Sequence, residues 1–134
     1  MHDELFLIGR ILFSLVFVGS GIGHLTQTDA SAQYAAYKKV PSPRNAVLFT
    51  GVAMLAGAAG VILGIWMDLA AIGLAVFVVA SALWMHRFWE ETDAQTRQVE
   101  MAHFMKNVSI AGGALVIAAV SGGDAPYTIT AGVF

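Results

Sequence analysis

The chain has 134 residues, a formal net charge of −2, 57% hydrophobic and 12% charged residues, and a mean hydropathy of +0.71. Ordinary soluble domains carry about 45–50% apolar and about 25% charged residues, so this composition cannot supply a polar skin, and the bilayer is the solvent it calls for. With no cysteine, a disulfide framework, a thiolate metal site and a CxxC redox motif are excluded.

Four segments are long and apolar enough to cross about 30 Å of hydrocarbon, which needs about 20 helical residues. The first is Leu5–Leu25, with Arg10 as its one charge. Its acidic leader "MHDE" and its length argue for a retained helix rather than a signal peptide, despite "ASA" at Ala30–Ala32. Arg10 lies about 7–8 Å below the interface at 1.5 Å per residue. It either snorkels to the headgroups or pairs inside the bundle. The acids on its side are Asp3, Glu4, Asp68 and Asp124, and Asp68 is the preferred partner because its turn fixes it best. Gly19 and Gly23 form a small-xxx-small pair, a pattern that lets membrane helices approach closely.

Next comes "TQTDASAQYAAYKKVPSPRN", in which Thr28 or Asp29 can cap a short surface helix with Tyr34, Tyr37 and Val40 on one side. Pro41 ends that helix. Ser42 is placed to cap the second span, Ala46–Trp66, with Pro43 at its first position. Gly60 and Gly64 form a second small-residue pair, and "GIWMD" at Gly64–Asp68 reads as a tight hairpin into the third span, Leu69–Met85, which reaches about His86. Strands are not expected, because none of these runs alternates as a barrel strand does.

The polar residues then gather. Between His86 and Asn107, "HRFWEETDAQTRQVEMAHFMKN" holds seven of the sixteen charges and two of the four histidines. Thr92 with Gln95 forms a capping box, and Asp93–Arg97 has i, i+4 spacing, so much of this stretch is expected to extend the fourth helix. That span runs from about His103 to Ser121, with Gly112 and Gly113 as packing positions, and a Gly-Gly stop leads into a tail that caps the interface. Phe88 and Trp89 suit an aromatic belt. His24 ends the first span, His86 the third, and His103, Lys106 and Asn107 open the fourth, so these groups are expected at one depth. Such a cluster can relay protons or grip a polar head. There is no HExxH and no histidine pair at i, i+4, so no metal site is assigned, and there is no nucleophile–base pair, phosphate loop or nucleic-acid surface.

Lys38, Lys39, Arg44, Arg87, Arg97 and Lys106 fall in or beside the first and third loops, against Arg10 alone on the other side. The positive-inside rule then puts loops 26–45 and 87–102 in the cytoplasm and both termini outside. The fold expected is an all-α, integral membrane four-helix bundle, one domain over residues 1–134.

These residues resemble the DoxX family of small four-helix membrane proteins over nearly the whole chain. "LIGRILFSLVFVGSGIGHL" looks like the family's opening helix, with His24 where many members carry lysine. "VPSPRNAVLFTGVAMLAGAAGVILGI" resembles its Pro-led second helix, with Met54 where a glutamate is common. "HRFW" and "FMKNVSIAGGAL" resemble the end of the third and the start of the fourth. The family takes its name from a subunit of an archaeal thiosulfate:quinone oxidoreductase, and related proteins are linked to quinone or thiol redox and oxidative-stress assemblies. The resemblance implies a bacterial inner-membrane accessory subunit of a respiratory or redox enzyme, in contact with lipids and with redox membrane proteins or further copies of itself. No catalytic residue carries over. The alternative is a small membrane enzyme or binding protein holding a quinone- or lipid-like ligand inside the bundle, with Arg10, His24, His86, Trp89, His103, Lys106 and Asn107 as candidate contacts. A transporter or channel ranks last, because the second and third spans carry no ionisable residue.

Overall fold

The computed structural model describes residues 1–123 and 125–134. Its elements in order are α1 (His2–Thr26), α2 (Thr28–Tyr37), α3 (Pro43–Leu63), α4 (Met67–Met85), a 3-10 turn at Phe88–Glu90, and α5 (Ala94–Ser121). No strand occurs among the described residues. α1, α3, α4 and α5 are the four membrane-crossing helices. They extend beyond the apolar runs, because a helix continues into polar sequence until a breaker or cap stops it. α3 starts at Pro43 rather than Ala46, α4 at Met67 rather than Leu69, and α5 at Ala94, nine residues before His103.

The bundle is built inside-out relative to a soluble protein. Its interior is small: Ala58, Ala71, Ala114 and Ser14 are fully buried, while Phe49 is 74% exposed and Val76 and Val116 are each 64% exposed. That apolar exterior is far larger than soluble monomers tolerate. Lipid gives helices no hydrophobic reason to associate, so close approach of small residues must do it. The positions that achieve this differ partly from the expected ones. Gly19 and Gly23 face open space, whereas a Cβ on Gly21 would lie 2.8 Å from Leu55 Cγ and 3.0 Å from the Gly51 carbonyl. Gly60 does pack, with Ala70 Cβ 2.7 Å from where its own would stand. Gly112 is open, and a Cβ on Gly113 would stand 3.6 Å from the Phe13 ring, an ordinary contact.

The caps also shift. Asp93, not Thr92, caps α5, its carboxylate accepting from Thr96 N and Oγ1 at 2.8 Å each. Those bonds hold the Asp93 carboxyl below its usual range. The Asp93–Arg97 ion pair is absent among the described residues, and the two meet only through the backbone. Ser42 stands at the N-cap of α3 in a left-handed conformation (φ 46°) without a side-chain cap bond, and Pro43 follows at the first position as expected. Thr28 does not cap α2; its hydroxyl donates back to the His24 carbonyl at 2.9 Å. The α3–α4 hairpin turns on Gly64 (φ 66°), the left-handed cap glycine favours. Trp66 (φ 43°) follows in the same region, steadied by its N–H donating to Thr130 Oγ1 at 2.8 Å.

α1 packs along α3, α5 along α4, and α3 on α4, while α1 and α5 meet only slightly, with Phe13 facing Gly113. α2 lies against α3. The termini, the α3–α4 hairpin and the tail share one end of the bundle. α2 and the α4–α5 connection share the other, where Lys38 meets Glu91 of that connection and Glu100 near the start of α5.

Candidate functional site

Because α1 and α5 separate beyond Phe13 and Gly113, a cleft of about 540 Å³ opens between the α1–α3 and α4–α5 pairs at the α2 end. Its walls are apolar, including Val16, Phe17, Met54, Phe77, Val78 and Ile110. Met54 is the position at which the sequence departs from the glutamate common in the resembling family, so the cleft wall is uncharged there. Toward the end of the bundle the lining becomes polar, with His24, Thr50, His86, Lys106 and Asn107, and α2 contributes Ser31 and Tyr34. An apolar slot of this size with a few convergent polar groups is the usual form of a small-molecule site.

Each polar group is held by a specific partner. His24 Nδ1 lies 3.1 Å from Thr50 Oγ1, whose own proton goes to the Ala46 carbonyl at 2.7 Å, so His24 Nδ1 is the donor. His86 Nδ1 lies 2.8 Å from Glu100 Oε2, and a carboxylate can only accept, so Nδ1 carries a proton there too. In both rings Nε2 is the nitrogen left for a ligand. Asn107, buried, donates from Nδ2 to the Val78 carbonyl at 3.3 Å, which ties α5 to α4 at the cleft floor. Lys106 Nζ sits 3.5 Å from His103 Nδ1.

Behind the mouth lies an ionic network. Glu100 accepts from His86 and, at 3.1 Å, from Lys38 Nζ; Lys38 also faces Glu91 at 3.9 Å. The His103 ring stacks on His86 with centroids 5.1 Å apart. Burial works against the Lys38 charge, but its bond to Glu100 and the neighbouring Tyr34, Glu100 and Glu91 outweigh it and raise the ammonium pKa above its usual value. Burial raises the Tyr34 phenol. The network fastens α2 over the mouth of the cleft.

Of the seven residues expected at a site, four line this one cleft: His24, His86, Lys106 and Asn107. His103 stands one ring outside it. Trp89 belongs to an aromatic cluster, edge-on to Phe88 and Phe104 at 5.2 and 5.8 Å, and does not line the cleft. Arg10 is elsewhere. It is buried near the opposite end, donating to the carbonyls of Pro126 (3.4 Å) and Tyr127, with Met67 Sδ at 3.5 Å. It therefore does not snorkel, and the expected pair with Asp68 is not formed. Asp68 accepts instead from the backbone N–H groups of Leu69, Val133 and Phe134. Both charges grip the tail rather than each other. Glu4 pairs with the terminal amine, and Asp124 lies outside the described residues. What sequence reasoning missed is the pairing of Lys38 with Glu100. Their sequence separation of 62 leaves no local signal, although Glu100 stands one helical turn before His103.

Comparison with known proteins fits this architecture. The DoxX family profile matches residues 5–87, which covers α1 through α4 and leaves α5, with Glu100, Lys106 and Asn107, beyond its end. The "Inner membrane protein YphA" of Escherichia coli (strain K12) is 31% identical over 114 residues, 85% of this chain and 81% of that protein. No solved structure matches. A profile spanning most of the chain, a relative aligned over most of both lengths, and four apolar crossing helices agree: the chain is a multi-pass membrane protein and belongs to the DoxX family.

Proposed function

We propose that this protein binds a membrane-soluble amphipathic molecule, quinone- or lipid-like, in the cleft between α1 and α5, with the hydrocarbon part among the apolar walls and the head at the His24–His86–Lys106 mouth. The observation that carries the reading is the gradient along the cleft, from apolar side chains at its depth to polar groups with fixed partners at its mouth. That gradient matches an amphiphile lying along the bilayer normal, and the cleft opens sideways where lipid would stand. The accessory role in a redox or respiratory assembly joins here, because a chain presenting a quinone-type ligand on an open face can serve a redox enzyme packed against that face. The basic end, with α2, faces the cytoplasm in this proposal.

The test is to purify the chain in a mild detergent and identify what stays bound by mass spectrometry, beside a Ser81→Phe variant that fills the cleft. A near-stoichiometric amphiphile on the wild type, lost from the variant, supports the reading. Equal retention by both overturns it. A dehydrogenase or oxidase subunit that comes through purification with the chain would support the accessory role.

A further inference from the structure

We infer that the head group recognised in the cleft is anionic, so that the ligand is a carboxylate- or phosphate-headed lipid with one hydrocarbon chain in the slot. This rests on the cleft being a binding site. Apart from Tyr34, the ionisable side chains that line it are Lys106, His24 and His86, and no carboxylate lines it among the described residues. The chain as a whole is acidic, with nine Asp and Glu against seven Lys and Arg, so a lining of one sign is not inherited from composition. Glu100 is the nearest acid assigned a contact with this group, and both its oxygens are already engaged, by Lys38 and His86. Its single charge is shared between Lys38 and His86, and Lys106 is left to the mouth.

The bonding pattern leaves the fixed charge to Lys106. With each Nδ1 donating, the neutral His24 and His86 rings present Nε2 as an acceptor, and it becomes an N–H donor only on a ring that takes up a proton with the anion. Lys106 adds an ammonium, the strongest donor available there. Charge-assisted bonds to phosphate or carboxylate are roughly twice as strong as neutral ones, and a surrounding of low-dielectric walls focuses the field of like charges on a bound counter-charge. Basic pockets between spanning helices are a recurring way to hold anionic lipid heads. The slot runs from His24 to Val16, about 12 Å at 1.5 Å per residue. It therefore takes the head-proximal part of one chain and lets the rest run into the bilayer.

Trp84 lines the cleft and serves as a reporter once Trp66 and Trp89 are replaced by Phe. In phosphatidylcholine nanodiscs, dibrominated stearate, whose bromines quench tryptophan, is titrated against its methyl ester, on this protein and on the same protein with Ser81→Phe or Lys106→Gln. Circular dichroism confirms that each variant remains helical. Saturable quenching by the carboxylate at a concentration about tenfold below that for the ester, narrowed several-fold by Lys106→Gln and abolished by Ser81→Phe, is the expected result. Equal quenching by acid and ester, still removed by Ser81→Phe, overturns the anionic head and leaves the cleft standing. Quenching that Ser81→Phe does not change reports surrounding lipid alone and overturns both.

Discussion

Glu100 illustrates how much a single side chain can hold at the edge of a membrane. Its two oxygens join Lys38, from the connection after α2, to His86 at the end of α4, and all three side chains are 16% exposed or less. Glu100→Gln keeps one carbonyl oxygen as an acceptor and turns the other into an NH2 facing a donor, so one partly buried donor is stranded, which costs about 1–3 kcal/mol when no water can replace the acceptor. Glu100→Gln is therefore expected to lower stability by that amount in denaturant titrations in mixed micelles. The contrasting pair is Arg44–Asp29, whose side chains are 62% and 82% exposed. Asp29→Asn should change stability by about 0–1 kcal/mol. Equal effects at both positions would show that the Glu100 network is solvated. At this scale the sequence was only half legible. The histidines, Lys106 and Asn107 could be placed by depth, because helix ends are readable from hydropathy. Arg10 could not be assigned its true partners, since these are backbone carbonyls of the tail, and a carbonyl leaves no mark in composition.

The elements were legible where lipid dictates them and obscure where packing does. Runs of apolar residues located α1, α3, α4 and the lipid-facing part of α5, and the polar cap residues revealed that α5 reaches back toward Asp93. Which glycines pack was not readable from small-xxx-small spacing. Gly19 and Gly23 satisfy the motif, yet Gly21, between them, touches α3. Two residues along a helix turn the side chain by about 200°, so Gly21 points opposite to both neighbours. Spacing fixes a stripe but not the direction it faces. The consequence is measurable. Gly21→Ala places a methyl 2.8 Å from Leu55 Cγ and 3.0 Å from the Gly51 carbonyl, and the backbone oxygen cannot rotate away. It should cost about 1–3 kcal/mol, the range for overpacking a close contact. Gly19→Ala meets nothing within 4 Å and should cost nothing, or stabilise slightly through helix propensity. If the two variants unfold alike, the α1–α3 contact is not the tight one described.

Across the whole molecule the two ends are chemically unlike, and that asymmetry bears on how the bundle sits in its membrane. At one end the tail is strapped down by buried groups: Arg10 on its carbonyls, Asp68 on its N–H groups, and the Gly64 carbonyl accepting from Ile129 and Thr130 at 3.0 and 3.1 Å. At the other, six Lys and Arg side chains surround the α2 connection and the start of α5. Arg10 is locked inside the bundle, so the tail end presents no Lys or Arg side chain to a membrane surface among the described residues. Insertion retains basic loops on the cytoplasmic side, and this asymmetry is the ground for our proposal that the α2 end, and with it the mouth of the cleft, faces the cytoplasm. The absence of native cysteine makes a direct test available. Gly123 and Thr92 are exposed at opposite ends, and a Cβ on Gly123 meets nothing within 4 Å. In intact cells a membrane-impermeant thiol reagent should label Gly123→Cys and spare Thr92→Cys until the cells are lysed. The reverse pattern would put the cleft mouth outside, where it would draw its ligand from the opposite leaflet.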